Sequence, residues 1–173
     1  LVNELTLSHK GHLIPVIEGY TSDEDARNHL GSSFKGSNLF PYPNRIADAK
    51  YTFEGEEYTL PMNFLQEKNA IHGLVYNKDF EIIETEGGEI GCKLILRYKE
   101  DKPSKGYPFH YLQEVVYSLN ADTGFECATK IYNLDDRHLP FGHGWHPYFK
   151  AGDNEVNDLW LMFPSEALLE ADK

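Results

Sequence analysis

Apolar and polar side chains alternate strictly from residue 90 to residue 98, which is the two-residue period of a half-buried β-strand. The apolar side of this run holds Ile90, Cys92, Leu94, Leu96 and Tyr98. A second long run starts at residue 107, where the odd positions carry mostly aromatic and aliphatic side chains. It predicts a long strand with a bulge at Gln113. Because no segment sustains a helical period, we expect the fold to be built from strands.

Turn residues divide much of the remaining sequence into short segments of the same kind. Residues 51–60 are predicted to form a hairpin in which Tyr51 and Phe53 face Tyr58 and Leu60. Further strands are predicted over residues 2–8, 12–18, 74–86, 125–131 and 159–163 and in the stretch 138–150, with a turn at Gly87–Gly88. About ten short strands spaced about 8–12 residues apart are typical of an antiparallel sandwich or barrel. We therefore predict a single all-β unit, an antiparallel β-sandwich.

The polar segment 20–38 does not fit this pattern. Asp23 to Asn28 are predicted to form one helical turn with Ser22 as its cap, and a loop is the alternative.

The charge balance restricts the partners of this chain. It has 16 basic and 28 acidic residues and a net charge of −12. Binding to nucleic acids or anionic membranes depends on clusters of lysine and arginine, so neither partner is expected. No apolar run approaches the length of a membrane span, and the first residues do not resemble a signal peptide. Cys92 and Cys127 lie in strand-like runs and are predicted to be buried free thiols, which favours a reducing, cytoplasmic location.

Three of the eight histidines fall within residues 138–150, which read HLPFGHGWHPYFK. Pro147 directly follows His146 and keeps the backbone of His146 extended. Stiff placement of one titratable ring is what general acid–base catalysis requires. A buried, hydrogen-bonded histidine beside a turn is the structural alternative.

A zinc site at His143 and His146 is a further alternative, because neutral imidazoles bind zinc. Residues three apart in a regular strand point to opposite faces. Neither a cysteine nor a nearby carboxylate completes a ligand set in this stretch. We therefore predict that this pair binds no metal.

The fragments NLFPYPNRI, NAIHG and PFGHGWHPYF occur in that order along the chain. Together they resemble the aldose 1-epimerase family, whose fold is the galactose mutarotase-like β-supersandwich. The family pattern has an arginine after a turn rich in proline and asparagine, then a His-Gly pair, then a histidine followed by Tyr-Phe. Arg45, His72 and His146 occupy these positions here.

This resemblance implies a reaction and a role for each residue. Such enzymes interconvert the α and β anomers of a monosaccharide by acid/base ring opening, with no cofactor. By resemblance, His146 is the acid at the ring oxygen and His72 stabilises developing charge, so both are candidate catalytic residues. Arg45 is the candidate substrate-binding residue, supported by Asn44, and we expect Arg45, His72 and His146 to converge on one concave face. A turn-capping His72 and a solvated Arg45 are the structural alternatives.

The resemblance also implies missing parts. Family members are much longer, and their catalytic glutamate lies near the C-terminus in a motif that Glu155, Glu166 and Glu170 do not match. We therefore expect residues 1–173 to be the N-terminal portion of a longer mutarotase-like domain and to be inactive alone. Its open edges would be covered by self-association or by pairing with a C-terminal half.

Two other functions stay open. One is a non-catalytic carbohydrate-binding β-sandwich that uses the same cleft, from which a catalytic glutamate would distinguish an enzyme. The other is a relative of hexose-phosphate epimerases, in which Lys35, Lys78 or Lys150 would bind the phosphate. The acidic charge balance disfavours this second alternative.

Overall fold

The computed structural model describes residues 1–167. Its strands are β1 Leu5–His9, β2 His12–Ile17, β3 Asn38–Leu39, β4 Arg45–Ile46, β5 Lys50–Phe53, β6 Glu56–Thr59, β7 Ala70–Ile71, β8 Glu81–Gly88, β9 Gly91–Glu100, β10 Tyr111–Asn120, β11 Gly124–Asn133 and β12 Gly144–Trp145. The α-helix α1 spans Asp23–Ser33, and short 3-10 helices lie at Ala47–Ala49 and Val156–Asp158. All strand pairs are antiparallel, so the predicted all-β, antiparallel class is confirmed.

The largest sheet contains the four long strands in the order β11-β10-β9-β8. β10 pairs along its whole length with both neighbours, and Gln113 lies opposite Tyr98 and Ile131 without a break in register. The bulge predicted at Gln113 is therefore wrong, because Gln113 keeps the alternation of the strand and is fully buried. An irregularity occurs instead between Ile82 and Glu84 of β8.

Aromatic side chains dominate the core. Its buried members are Phe40, Ala49, Leu60, Ala70, Val75, Tyr107, Phe109 and Tyr111. The rings of Phe40 and Tyr111 lie 4.7 Å apart, which joins the proline-rich segment before Arg45 to the large sheet. Burial of a large apolar side chain contributes about 1.5–3 kcal/mol. This packing therefore anchors the backbone that carries Arg45.

The predicted hairpin at residues 51–60 is present, and the two strands predicted near the N-terminus pair with each other. β1 pairs with β2, and β5 pairs with β6. Tyr51 faces Tyr58 as predicted, and the two rings stack with centroids 5.1 Å apart. Phe53 faces Glu56 and not Leu60, because Leu60 has left the hairpin to join the core.

Helix α1 is longer than the single turn or loop predicted for its segment. Ser22 caps it as predicted, because the Ser22 hydroxyl accepts a hydrogen bond of 3.1 Å from the backbone N–H of Asp25. Carboxylates fill its first turn, where they interact favourably with the helix dipole. The period analysis does not detect α1 because none of its residues is buried. Within residues 1–167, no helix combines the length and apolar character needed to cross a membrane.

The strand predicted over residues 74–86 is displaced along the chain. Pairing starts at Glu81 and continues to Gly88, so both glycines of the predicted turn belong to β8 and the turn follows them. Glycine adopts extended and turn conformations with similar ease, so its presence alone does not locate the turn. The predicted burial of Cys92 in the next strand is also wrong, because Cys92 is exposed.

Two predicted strands near the end of the chain are shorter or absent. Within residues 138–150, the regular strand is limited to β12, and residues 159–163 form no strand. The side chains of Trp160 and Met162 are 98% and 94% exposed. An alternating sequence becomes a strand only where a neighbouring strand supplies hydrogen bonds. Residues 1–167 supply no such neighbour at 159–163.

Candidate active site

Two short strand pairs bring distant segments of the chain together. β3 pairs with β12, which ends directly before His146. β4 pairs with β7, which ends directly before His72. Because β3 and β4 belong to one proline-rich segment, both histidines meet beside Arg45, at the end of that segment.

Arg45, His72 and His146 line one pocket of about 330 Å³. The structure therefore brings together the three residues that were expected to converge. The rest of the lining is Gly31, Ser32, Ser33, Phe34, Asn63, Phe64, Gln66, Ile71 and Tyr148. Asn44 lies outside this lining, and its side-chain oxygen accepts a hydrogen bond of 3.1 Å from Nη1 of Arg45.

His72 is fixed by two hydrogen bonds with Asn44. The backbone N–H of His72 donates to the carbonyl of Asn44 at 3.0 Å, and the backbone N–H of Asn44 donates to Nδ1 of His72 at 3.2 Å. Both residues have a positive φ, 60° for His72 and 59° for Asn44, a conformation concentrated at functional sites. Because Nδ1 accepts a hydrogen bond, the neutral ring carries its proton on Nε2.

The pKa of His72 is lowered to about 4, first by burial and then by the positive charges of His146 and Arg45. The ring of His72 is therefore neutral at neutral pH. Its Nε2–H is a hydrogen-bond donor that keeps its proton.

The ring of His146 is held between aromatic groups. Its backbone N–H donates to the carbonyl of Ser37 at 3.0 Å. Its ring stacks on Tyr148 with centroids 5.6 Å apart and lies edge-on to His72 at 5.0 Å. The ring of His146 is therefore packed between the rings of Tyr148 and His72. Within the described part of the chain, neither ring nitrogen of His146 has a hydrogen-bond partner.

Two hydrogen bonds, to Glu67 and Asn44, orient the guanidinium of Arg45. Its Nε donates to Glu67 Oε2 at 2.9 Å, Nη1 donates to Asn44, and its centre lies 5.2 Å from the ring centroid of Phe64. The side chain is 46% exposed, so Arg45 is partly solvated. A planar guanidinium fixed in this way presents its remaining N–H groups in a defined direction.

The family model of aldose 1-epimerase matches residues 2–173. The chain belongs to the aldose 1-epimerase family. It is 36% identical to the uncharacterized protein YihR of Escherichia coli over 138 residues, which are 80% of this chain and 43% of YihR. It is 27% identical to the aldose 1-epimerase of Escherichia coli over 131 residues, which are 74% of this chain and 35% of that protein.

Solved structures show the same fold. A galactose mutarotase-like protein from Clostridium acetobutylicum superimposes with a TM-score of 0.70 at 22% identity, over 79% of this chain and 41% of that protein. The galactose 1-epimerase of Lactobacillus acidophilus gives 0.64 at 18% identity, over 84% of this chain and 48% of that enzyme. The predicted galactose mutarotase-like fold is confirmed. The chain spans less than half the length of each of these relatives.

In this member of the aldose 1-epimerase family, His143 stands apart from the pocket. It is not among the lining residues, and burial lowers its pKa. The part of the chain that the structure describes has no group of three or more His, Cys, Asp and Glu side chains placed to hold a metal ion. That His143 and His146 share no metal stays a prediction.

Carboxylates are absent from the pocket lining within residues 1–167. Glu67 contacts Arg45 from outside the lining, and Glu155 and Glu166 are exposed elsewhere. Glu170 lies outside the described residues. Glu67, Glu155 and Glu166 therefore do not line the pocket in which the base of an aldose 1-epimerase is expected to act.

The end of α1 also belongs to the site, although no motif in the sequence indicates this. The ring of Phe34 lies 4.6 Å from that of His72 and 6.3 Å from that of His146. Ser22 indicated where the helix begins, but no signal in the polar segment indicated where it ends.

Proposed function

We propose that this chain provides the acid side of an aldose 1-epimerase active site, which interconverts the α and β anomers of a neutral monosaccharide. The observation that carries the proposal is the meeting of His72 and His146, 5.0 Å apart, beside Arg45 in one pocket. The family membership supports the same reaction class.

The reaction is a pair of proton transfers around one bond. A base removes the proton of the anomeric hydroxyl while an acid protonates the ring oxygen, and the bond from C1 to the ring oxygen breaks to give the open-chain aldehyde. Rotation about the bond from C1 to C2 exposes the other face of the aldehyde. Closure then runs with the two roles reversed. No cofactor takes part in the proposed reaction.

His146 is the acid at the ring oxygen. Its ring lines the pocket and has no hydrogen-bond partner among residues 1–167, and an imidazole can both give and recover a proton. His72 is a neutral donor, because Asn44 occupies its Nδ1 and its pKa is lowered to about 4. Its Nε2–H stabilises negative charge that develops on the sugar oxygen during the proton transfer.

Arg45 binds sugar hydroxyls through the N–H groups that Glu67 and Asn44 leave free. Asn44 therefore orients both Arg45, through its side chain, and His72, through its backbone.

The base is a carboxylate supplied from outside residues 1–173, since the family places its glutamate near the C-terminus and no carboxylate among residues 1–167 lines the pocket. It would come from the remainder of a longer protein or from a partner chain. We propose that residues 1–173 alone are inactive.

A neutral sugar fits the pocket better than a sugar phosphate. The cation in the lining is Arg45, which is already paired with Glu67. Lys35 pairs with Glu18, and neither Lys78 nor Lys150 lines the pocket.

The net charge of −12 disfavours nucleic acids and anionic membranes as partners, and the two free thiols favour the cytoplasm.

Polarimetry on the whole protein separates an enzyme from a non-catalytic sugar-binding module. We expect wild type to accelerate the mutarotation of α-D-galactose and His146→Asn to lose at least about a hundredfold in rate. His138→Asn is the matched control, because His138 is 89% exposed and pairs with Glu54 outside the pocket. A wild type that binds galactose without accelerating mutarotation would identify a binding module.

A further inference from the structure

The C-terminal turn of α1, Gly31–Phe34, lines the pocket but has no role in the proton transfers. Its position is tied to both histidines. The ring of Phe34 packs edge-on against His72, 4.6 Å away. The hydroxyl of Tyr148, whose ring stacks on His146, donates to a backbone carbonyl of the turn at 3.1 Å. This part of the wall therefore holds a fixed position relative to the two rings.

The turn is also held in place from behind. Phe34 is 5% exposed, and its backbone N–H donates to the carbonyl of Leu30 at 3.0 Å. The hydroxyls of Ser33 and Tyr20 lie 3.0 Å apart. A wall anchored in this way resists displacement by a ligand and can select ligands by shape.

Gly31 has no packing reason to lack a side chain. A Cβ at Gly31 would meet no heavy atom within 4 Å, and Gly31 is not among the residues with positive φ. Glycine inside a helix destabilises it relative to alanine. The open space beside Gly31 therefore does not serve the fold, and Gly31 itself lines the pocket.

The proposed role of His146 indicates which part of a sugar lies there. The ring oxygen of an aldopyranose is bonded to C1 and to C5, and C5 carries a hydroxymethyl group in aldohexoses but only hydrogen in aldopentoses. A sugar whose ring oxygen faces His146 therefore has its C5 substituent close to that histidine. The turn of α1 flanks the same histidine through Tyr148.

Building on the proposed function, we infer that Gly31 is a specificity-determining residue that leaves room for the hydroxymethyl group of an aldohexose. Ser32 supplies a matching polar contact. Its hydroxyl donates to the carbonyl of His29 at 3.0 Å, so its lone pairs remain free to accept a hydrogen bond from the sugar. A side chain at position 31 would fill the hydroxymethyl space and leave the rest of the sugar site intact.

The test compares Gly31→Ala and Gly31→Leu in the whole protein. Alanine and leucine have similar, high helix propensities, so the two variants differ mainly in how far the side chain reaches into the pocket. Both should melt at or above the temperature of wild type when followed by circular dichroism. The ligands are 1,5-anhydro-D-glucitol and 1,5-anhydroxylitol, which differ only in the hydroxymethyl group. Neither has an anomeric hydroxyl, so binding can be measured by calorimetry without turnover.

We expect Gly31→Leu to weaken binding of the anhydroglucitol about tenfold or more, and to change binding of the anhydroxylitol less than about threefold. Gly31→Ala should stay close to wild type for both. Equal losses for the two ligands, or no loss for either, would overturn the role of Gly31. A wild type that binds neither ligand would also overturn the role of Gly31. Polarimetry would then show whether the proposed function is wrong as well. Mutarotation by that same wild type would leave the proposed function standing.

Discussion

The imidazole ring of His72 stands edge-on to that of His146, with centroids 5.0 Å apart and planes at 82°. The two rings come from segments joined to the same proline-rich stretch by separate strand pairs. Two imidazoles this close disfavour double protonation, because like charges raise the cost of the second proton. This proximity is one of the causes that lower the pKa of His72.

We expect His72 to titrate near pH 4 and to be neutral at pH 7 with its proton on Nε2. Its lowered pKa follows mainly from burial, and its tautomer follows from the hydrogen bond that Asn44 donates to Nδ1. Nitrogen-15 NMR of the histidine side chains, recorded from pH 3 to 8, measures both properties. An ordinary histidine pKa of about 6.5, or a neutral ring protonated on Nδ1, would contradict the geometry.

Gly73→Ala should destabilise the fold strongly. A Cβ at Gly73 would lie 2.1 Å from the carbonyl oxygen of Phe40, and Gly73 has a φ of +78°. Gly55→Ala is the matched control, because Gly55 has a φ of +83° but open space around it. Urea denaturation should show a loss of about 1–2 kcal/mol for Gly55→Ala, which is the cost of the left-handed conformation. Gly73→Ala should lose at least about 2 kcal/mol more, and equal losses would show that the contact with Phe40 yields easily.

His143 and His146 should not bind zinc together. His146 lines the pocket and His143 does not, and no group of three or more potential ligands occurs within residues 1–167. Elemental analysis of protein purified without chelators should find zinc far below one equivalent. Stoichiometric zinc that is lost in His146→Ala would contradict this expectation and favour a metalloenzyme.

Residues 1–173 should self-associate when expressed alone. Trp160, Leu161, Met162 and Phe163 are between 63% and 98% exposed, and exposed apolar surface of this kind favours association. Light scattering should give a mass above the 19.8 kDa of one chain. Substitution of Trp160 and Met162 by glutamate should lower that mass, and a stable wild-type monomer would count against the expectation.

The sequence predicts the long strands and short hairpins because apolar and polar side chains alternate within each of these segments. The strand predicted at 159–163 is wrong, because strand formation depends on a neighbouring strand that alternation alone does not reveal. Gln113 illustrates a related difficulty. A polar residue on an apolar face suggested a bulge, but the register stays continuous and the polar side chain is buried.

Some residues of the candidate site could be predicted from the sequence and others could not. Arg45, His72 and His146 could be identified through the motifs of the family, and the structure brings them together. The turn of α1 could not be identified, since a mostly polar helix with no buried residue leaves no apolar period in the sequence. The tautomer of His72 also required the structure, because it depends on a backbone N–H of Asn44 from a distant segment.

Polarimetry of freshly dissolved α-D-galactose with residues 1–173 alone tests the account most directly. His146 is the proposed acid, and the proposed base is a carboxylate outside this chain. A positioned general base is typically worth about 10²–10⁴-fold in rate. We therefore expect the isolated chain to match the buffer blank, while the whole protein accelerates the reaction. Mutarotation above the blank by residues 1–173, abolished in His146→Asn, would contradict the account by showing that the base lies within this chain.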